Sequence, residues 1–366
     1  MRIVVSGGGT GGHIYPALAT VKELMKQEPD TQVLYIGGER GLEKTIVPEA
    51  GFAFKALAVQ GFRRSLSLDN FKTIYLFLRA TKLAKKMLRE FAPDVVVGTG
   101  GYVSGPVLYA AQQLHIPTVI HEQNSVVGMT NKFLARKVTK VGAAFPAAVP
   151  AFPAGLATVV GNPRAQEVVR GEGQFDWNSL HLVANQPTVL VFGGSQGALK
   201  LNQAMVEALP QFADRPYQVI FVTGGKRYDE VQAQLQATNQ TLAANVAVVP
   251  YIGNMPQLMP VVDLVVGRAG ATSLAEQTAL GKPMVLIPSP YVTNDHQTKN
   301  ARSLVEAGAA AMITENELTG TTLFAEIDQL MTDDQARHTM AQAAMQLGVP
   351  DAADQFIQLI KSVVKH

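Results

Sequence analysis

Arg2-Ile3-Val4-Val5-Ser6-Gly7-Gly8-Gly9-Thr10-Gly11-Gly12-His13 runs from a β-branched stretch through a glycine turn into the start of a helical pattern. A short run that is apolar throughout suits a parallel strand covered on both faces. Glycines directly after it allow a sharp turn that brings helix N–H groups close to an anion. The same grammar recurs at 32–36 before Gly37-Gly38, at 94–97 before Gly98-Thr99-Gly100-Gly101, and at 118–120. It restarts at 188–192 before Gly193-Gly194-Ser195-Gln196-Gly197 and continues at 218–222, 246–250, 263–266 and 284–288. Such runs separated by helical crossovers predict an α/β protein of two Rossmann-like domains in tandem, divided near Gly161.

Composition agrees with that plan. At about 150 residues per domain, 366 residues make two domains, and 47% hydrophobic residues supply a core for each. Lys and Arg number 31 against 29 Asp and Glu, so the net charge of +2 gives no general reason to expect nucleic-acid binding. With no cysteine in the chain, disulfides, thiolate zinc sites and iron–sulfur clusters are excluded. Met1-Arg2 passes straight into the first strand without the pattern of a secretory signal, so the chain is expected to stay where it is made.

Three further segments carry expectations. Residues 141–163 hold no charge, but Pro146, Pro150, Pro153 and Pro163 argue against a spanning helix and for a linker packed on apolar surface. Between 51 and 90 there are nine Lys or Arg and two acids. From 71 to 91, Phe71, Ile74, Leu78, Met87, Leu88 and Phe91 form an apolar face beside Lys72, Arg79, Lys82, Lys85, Lys86 and Arg89. That pattern fits a membrane-adjacent basic helix or a solvated crossover helix. From 351 to 363 the apolar spacing predicts a terminal helix.

Several constellations could carry chemistry. Gly7, Gly9 and Gly12 have dinucleotide-fingerprint spacing, with Glu39 as a candidate ribose acid; a tight structural turn is the alternative. His13 falls where a helix N-terminus disfavours its charged form and keeps it available as a base, with a purely structural histidine as the alternative. The loop 193–197 lacks the lysine of a Walker motif yet can offer N–H groups and the Ser195 hydroxyl to a phosphate. Gly270 and Ala271 admit a ligand at another helix start, and Glu276 stands near enough to accept two ribose hydroxyls. Asn294, Asp295, Gln297 and Asn300 suit sugar hydroxyls, and His121-Glu122-Gln123-Asn124 has the polarity of a site rim. There is no HExxH motif and no paired carboxylate after a strand, so no metal site is expected.

Taken in order, GGGTGGHIYPALA (7–19), GTGGYVSGP (98–106), HEQNSVVGMTNK (121–132), VGNPRA (160–165), GGSQGA (193–198), GRAGATSLAE (267–276) and DHQTKNA (295–301) span nearly the whole chain. This set resembles the MurG family of bacterial glycosyltransferases. The resemblance implies a GT-B fold of two Rossmann-like domains whose parallel sheets face a central cleft. Residues 1–161 would bind the acceptor and the membrane, 162–344 would bind UDP-GlcNAc, and 345–366 would return to the first domain. It further implies inverting, metal-independent transfer of GlcNAc from UDP-GlcNAc to the muramyl 4-hydroxyl of lipid I, giving lipid II. No cofactor is implied. The expected partners are the anionic inner leaflet, at the cytoplasmic face of the cell membrane, and cell-wall synthesis proteins. By motif, the resemblance makes His13 the catalytic candidate. Thr10, Gly11, Gly12, Asn124, Arg164, Ser195, Ile252, Gly270, Ala271, Glu276, Gln297 and Asn300 become donor-binding residues. His296 departs from the paired glutamines of some relatives, which leaves Gln297 to keep the sugar contact.

Overall fold

The computed structural model describes residues 1–61, 69–171, 173–194, 197–292 and 295–364, so the expectations for Ser195 and Asn294 lie outside the described residues. The chain forms two compact units, Met1–Gln166 with Asp351–His366, and Glu167–Pro350. In the first, strands β1 (Arg2–Gly7), β2 (Gln32–Gly38), β3 (Ala53–Leu57), β4 (Val95–Gly100), β5 (Thr118–Glu122), β6 (Lys140–Ala143) and β7 (Ala157–Val159) pair in the order β3-β2-β1-β4-β5-β6-β7. In the second, β8 (Thr188–Phe192), β9 (Gln218–Val222), β10 (Val246–Val249), β11 (Leu264–Gly267), β12 (Met284–Leu286) and β13 (Ala311–Met312) pair as β10-β9-β8-β11-β12-β13. Every adjacent pair is parallel. Each unit therefore winds outward from its first strand in both directions, leaving a switch point between β1 and β4 and another between β8 and β11. Each unit is thus a Rossmann-like parallel sheet.

Alternation along the central strands feeds both faces of each sheet. Ile3 and Val5 of β1 enter one core with Ile14, Leu18, Val21 and Leu24 of the helix Gly11–Gln27. Val4, between them, enters the opposite core with Ala80, Ala84 and Leu88 of the helix Asp69–Phe91. In β8, Val189 and Val191 face one core and Leu190 the other. Burial on both faces explains the unbroken apolar runs.

The segment expected as a linker is instead structured. β6 and β7 are its two strands, with the 3₁₀ turn Pro146–Ala151 between them. Pro146 starts that turn, where its missing N–H costs little, Pro150 and Pro153 also stand between the two strands, and Pro163 opens the helix Pro163–Val169. Among the described residues no helix is long and apolar enough to cross a membrane. The helix Ala352–Lys361 lies on the first unit, where Phe356, Ile357 and Ile360 join the core around Ile3 and Val5. Full burial of such side chains stabilises by about 1.5–3 kcal/mol each.

Candidate active site

In the first unit the loops at the carboxyl ends of β1, β4 and β5 meet at the switch point. β1 and β4 pair with a register shift after Ser6, which sets Gly7 beside Gly100, and the Gly8 N–H donates to the Gly100 carbonyl at 3.3 Å. The helix Gly11–Gln27 begins there with Thr10 as an extended N-cap whose side chain makes no cap bond, and its first turn holds no acid. Thr10 and Gly12 are exposed and Gly11 half-exposed, so the head of the helix is open to a ligand.

His13 sits on that first turn. Its Nδ1 lies 3.0 Å from the Gly8 carbonyl oxygen and 3.2 Å from the Thr10 hydroxyl. A carbonyl can only accept, so Nδ1 carries the proton and Nε2 keeps a lone pair. Nε2 points toward Gly100, where a β-carbon would stand 3.0 Å from it. Burial pushes the imidazole below its ordinary pKa of 6.5, against the Gly8 hydrogen bond and the charges of Glu122 and Glu43, which favour protonation. The ring is therefore neutral at pH 7, with a basic nitrogen facing the loop after β4.

Two buried acids hold these loops. Glu122, at the end of β5, accepts from the N–H groups of Asn124 (3.0 Å) and Gly128 (2.9 Å) and from the Asn131 amide (2.9 Å). Asn124 is thereby placed, half-exposed, on a fixed turn. Glu43 is fully buried and accepts from the N–H groups of Gly9 (3.1 Å) and Gly38 (2.9 Å). The sequence reading passed over Glu43, whose only signal was the clustering of Gly37, Gly38 and Gly41 around it. Glu39, the candidate ribose acid, is exposed beyond β2. Arg164 is set by its own N–H, which donates to Asn162 Oδ1 at 3.1 Å, and its guanidinium lies 5.4 Å from the centre of the Tyr15 ring.

In the second unit the loops after β8 and β11 play the corresponding part. Gly197, at φ +74°, brings its α-carbon so close to the Thr223 carbonyl that a β-carbon would stand 2.1 Å from it. Gly270 caps the helix Ala271–Ala279 in extended conformation, and nothing lies within 4 Å of where its β-carbon would be. Glu276 is half-buried on the second turn of that helix. Gln297 Oε1 accepts from the Ser289 N–H at 2.9 Å, which fixes its side chain. Asn300 is fully buried and donates to the Ala269 carbonyl at 3.2 Å, so it braces the turn before Gly270 from beneath. Arg268 braces it from the side, bonded to the Ile287 carbonyl at 3.0 Å and to buried Glu315 at 3.1 Å. Ile252 is buried just beyond β10. Among the described residues no group of three or more His, Asp or Glu could hold a metal ion.

Comparison with known proteins adds a second line. Residues 3–143 match the glycosyltransferase family 28 N-terminal domain and residues 188–356 its C-terminal domain. The chain is 60% identical over 363 residues to the UDP-N-acetylglucosamine--N-acetylmuramyl-(pentapeptide) pyrophosphoryl-undecaprenol N-acetylglucosamine transferase of Levilactobacillus brevis, covering 99% of both chains. It is 52% identical over 365 residues to the protein of that name, numbered 1, of Bacillus cereus, covering 100% of both. Among solved structures, Acinetobacter baumannii MurG superposes with a TM-score of 0.77 at 30% identity, over 99% of each chain. A UDP-N-acetylglucosamine 2-epimerase superposes at 0.71 with 14% identity, over 99% of this chain and 95% of the other, a likeness of fold alone.

Proposed function

The chain belongs to the MurG family of glycosyltransferases, and from that membership we propose that it transfers GlcNAc from UDP-GlcNAc to lipid I, forming lipid II in peptidoglycan synthesis. Relatives bearing that activity in their names align along the whole chain, with both family 28 domains matched. At the level of the site, the reading is carried by His13, neutral and with Nε2 unprotonated at the head of an open helix.

In the proposed reaction the muramyl 4-hydroxyl oxygen attacks the GlcNAc anomeric carbon from the face opposite UDP. His13 Nε2 takes the hydroxyl proton as the new C–O bond forms. The bond from the anomeric carbon to the UDP oxygen breaks, configuration inverts, and UDP departs with both electrons. N–H groups at helix starts meet the diphosphate charge without a metal. Glu276 holds the ribose, Ile252 borders the uracil, and Gln297 presents its amide to the sugar. Gly270 and Ala271 border the diphosphate, and the Ser195 hydroxyl is assigned to it by its motif alone. Thr10, Gly11, Gly12, Asn124 and Arg164 complete the donor contacts from the first unit, and Asn300 serves by holding the 269–271 turn.

The membrane-bound acceptor calls for a docking surface. On the helix Asp69–Phe91, Phe71, Ile74, Tyr75 and Leu78 are exposed at i, i+3, i+4 and i+7, while Ala80, Ala84 and Leu88 are buried. Met129 and Phe133, on the adjacent helix Met129–Leu134, extend the apolar surface, with the Phe133 ring packed edge-on to Phe77. Lys72, Arg79, Lys82 and Arg89 are exposed on the same helix. An apolar stripe flanked by cations fits an anionic leaflet, which supports peripheral attachment to the cytoplasmic face, where cell-wall synthesis proteins would meet it. Incubation with UDP-GlcNAc and a short-chain lipid I analogue, with and without chelator, tests the reaction. A β1,4-linked product by NMR and stoichiometric UDP support it; UDP-ManNAc, or no product, would overturn it.

A further inference from the structure

One peptide unit, joining Gly8 to Gly9, is gripped at both ends. Its N–H donates to Glu43 Oε2 at 3.1 Å, and its carbonyl accepts from His13 Nδ1 at 3.0 Å. In a trans peptide these two groups point in opposite directions, so a buried carboxylate and the imidazole hold opposite edges of one plane. Glu43 Oε1 accepts from the Gly38 N–H at 2.9 Å, which anchors the acid to the end of β2. Room for it is made by glycines: β-carbons on Gly8 and Gly41 would stand 2.2 and 2.1 Å from its carboxylate oxygens. Gly8 has its place in the run because of the acid beneath it, independently of any ligand above.

A Gly–Gly peptide rotates with little hindrance. Were this one to turn over, its N–H would face His13, Nδ1 would become the acceptor, and the ring proton would move to Nε2. The reactive lone pair would then be lost. A carboxylate accepts an N–H but repels a carbonyl oxygen, so Glu43 opposes that rotation. By bonding the N–H it also polarises the peptide and strengthens the carbonyl as an acceptor. We propose that Glu43 is a positioning residue which, through the Gly8–Gly9 peptide, fixes the tautomer and basicity of His13. This deepens the assignment of His13 as base and rests on it for its catalytic meaning, while its structural content stands by itself.

The charged groups facing His13 are Glu43, from the segment after β2, and Glu122, from the end of β5. Tyr102, on the loop after β4, has its phenol pushed up by burial and by Glu43, and so stays neutral as His13 titrates. Nitrogen-15 NMR of the His13 ring in the ligand-free full chain is the direct test. The wild type should show the Nδ1–H tautomer. Glu43→Gln should mix the tautomers and lower the imidazole pKa, because a carboxylate that favours the imidazolium has been removed. Turnover should fall at least tenfold with KM for UDP-GlcNAc within twofold, and the acid limb of the rate profile should move to lower pH. Glu43→Asp, which restores the charge, should return the pKa toward wild type, and it carries the test if Glu43→Gln does not fold. An Nε2–H tautomer in the wild type, or a Glu43→Gln ring titrating as wild type does, overturns the proposal. Full turnover by His13→Ala with the NMR result as expected would instead remove only the assignment of His13 as base.

Discussion

An imidazole with Nδ1 committed to a carbonyl has one nitrogen left for chemistry, and burial keeps that nitrogen unprotonated. With the pKa of His13 below 6.5, the acid limb of kcat/KM is expected below about pH 6.5, since the base is lost as pH falls through its lowered value. His13→Ala should reduce kcat by roughly 10²–10⁴-fold, the usual worth of a positioned base, measured with a soluble acceptor analogue. Glu276→Ala should weaken UDP-GlcNAc binding by about 10–100-fold by calorimetry, the scale of two charge-assisted hydrogen bonds partly compensated by water. An unchanged dissociation constant would remove Glu276 from the ribose. His13 and the glycine run were legible in sequence because strand, turn and helix start are adjacent along the chain. Glu43 was not, because an acid opening the short helix Glu43–Glu49 reads as solvent-facing, and only folding stacks Gly8, Gly37 and Gly41 around it. Asn300 shows the converse. Its polarity suggests a ligand, but on the helix His296–Glu306 it shares the inward side with Ala301 and Leu304.

The helix Asp69–Phe91 has two apolar faces, and a sequence read for one amphipathic face merges them. Phe71, Ile74 and Leu78 were grouped with Leu88, yet the first three face out and Leu88 faces the sheet. Period 3.6 shows that residues share a side; whether that side meets a sheet depends on partners far along the chain. Replacing Phe71, Tyr75 and Leu78 together by Ser should weaken vesicle binding at least tenfold, since burying each such side chain is worth about 1.5–3 kcal/mol. Reversing Lys82, Lys85 and Lys86 should weaken binding to anionic vesicles and leave neutral ones unaffected; sedimentation reads both. At the other end of the chain, Phe356 packs on Gly142, where a β-carbon would meet its ring at 2.8 Å. Phe356→Ala should cost about 3–5 kcal/mol in urea unfolding, the range for emptying a tight aromatic site.

For the molecule as a whole, the repeated strand–glycine–helix grammar made two Rossmann-like sheets readable before any coordinates. The strands it missed are short or lie at sheet margins: β3 and β6 carry Lys55 and Lys140, and β13 has only two residues. Their pairing comes from neighbours rather than from their own pattern. One buried group ties the stability of the first unit to pH. His121 donates from Nε2 to the Gly161 carbonyl at 2.8 Å, its Nδ1 is buried without a partner, and burial holds its pKa down to about 4. A histidine depressed in the folded state is stabilising above its unfolded value of about 6.5, and that contribution is lost as pH falls toward 4. Unfolding free energies from urea titrations should therefore drop between pH 6.5 and 4 more steeply in the wild type than in His121→Gln, by up to about 3 kcal/mol. The first unit is also interrupted in sequence, since its last piece, Asp351–His366, follows the whole of the second. On the ribosome, the surface of Ile3, Val5 and Ile14 that awaits Phe356 and Ile360 stays uncovered until the whole of the second unit has been made. The nascent protein thus carries a greasy, chaperone-visible face that only release of the helix Ala352–Lys361 can close.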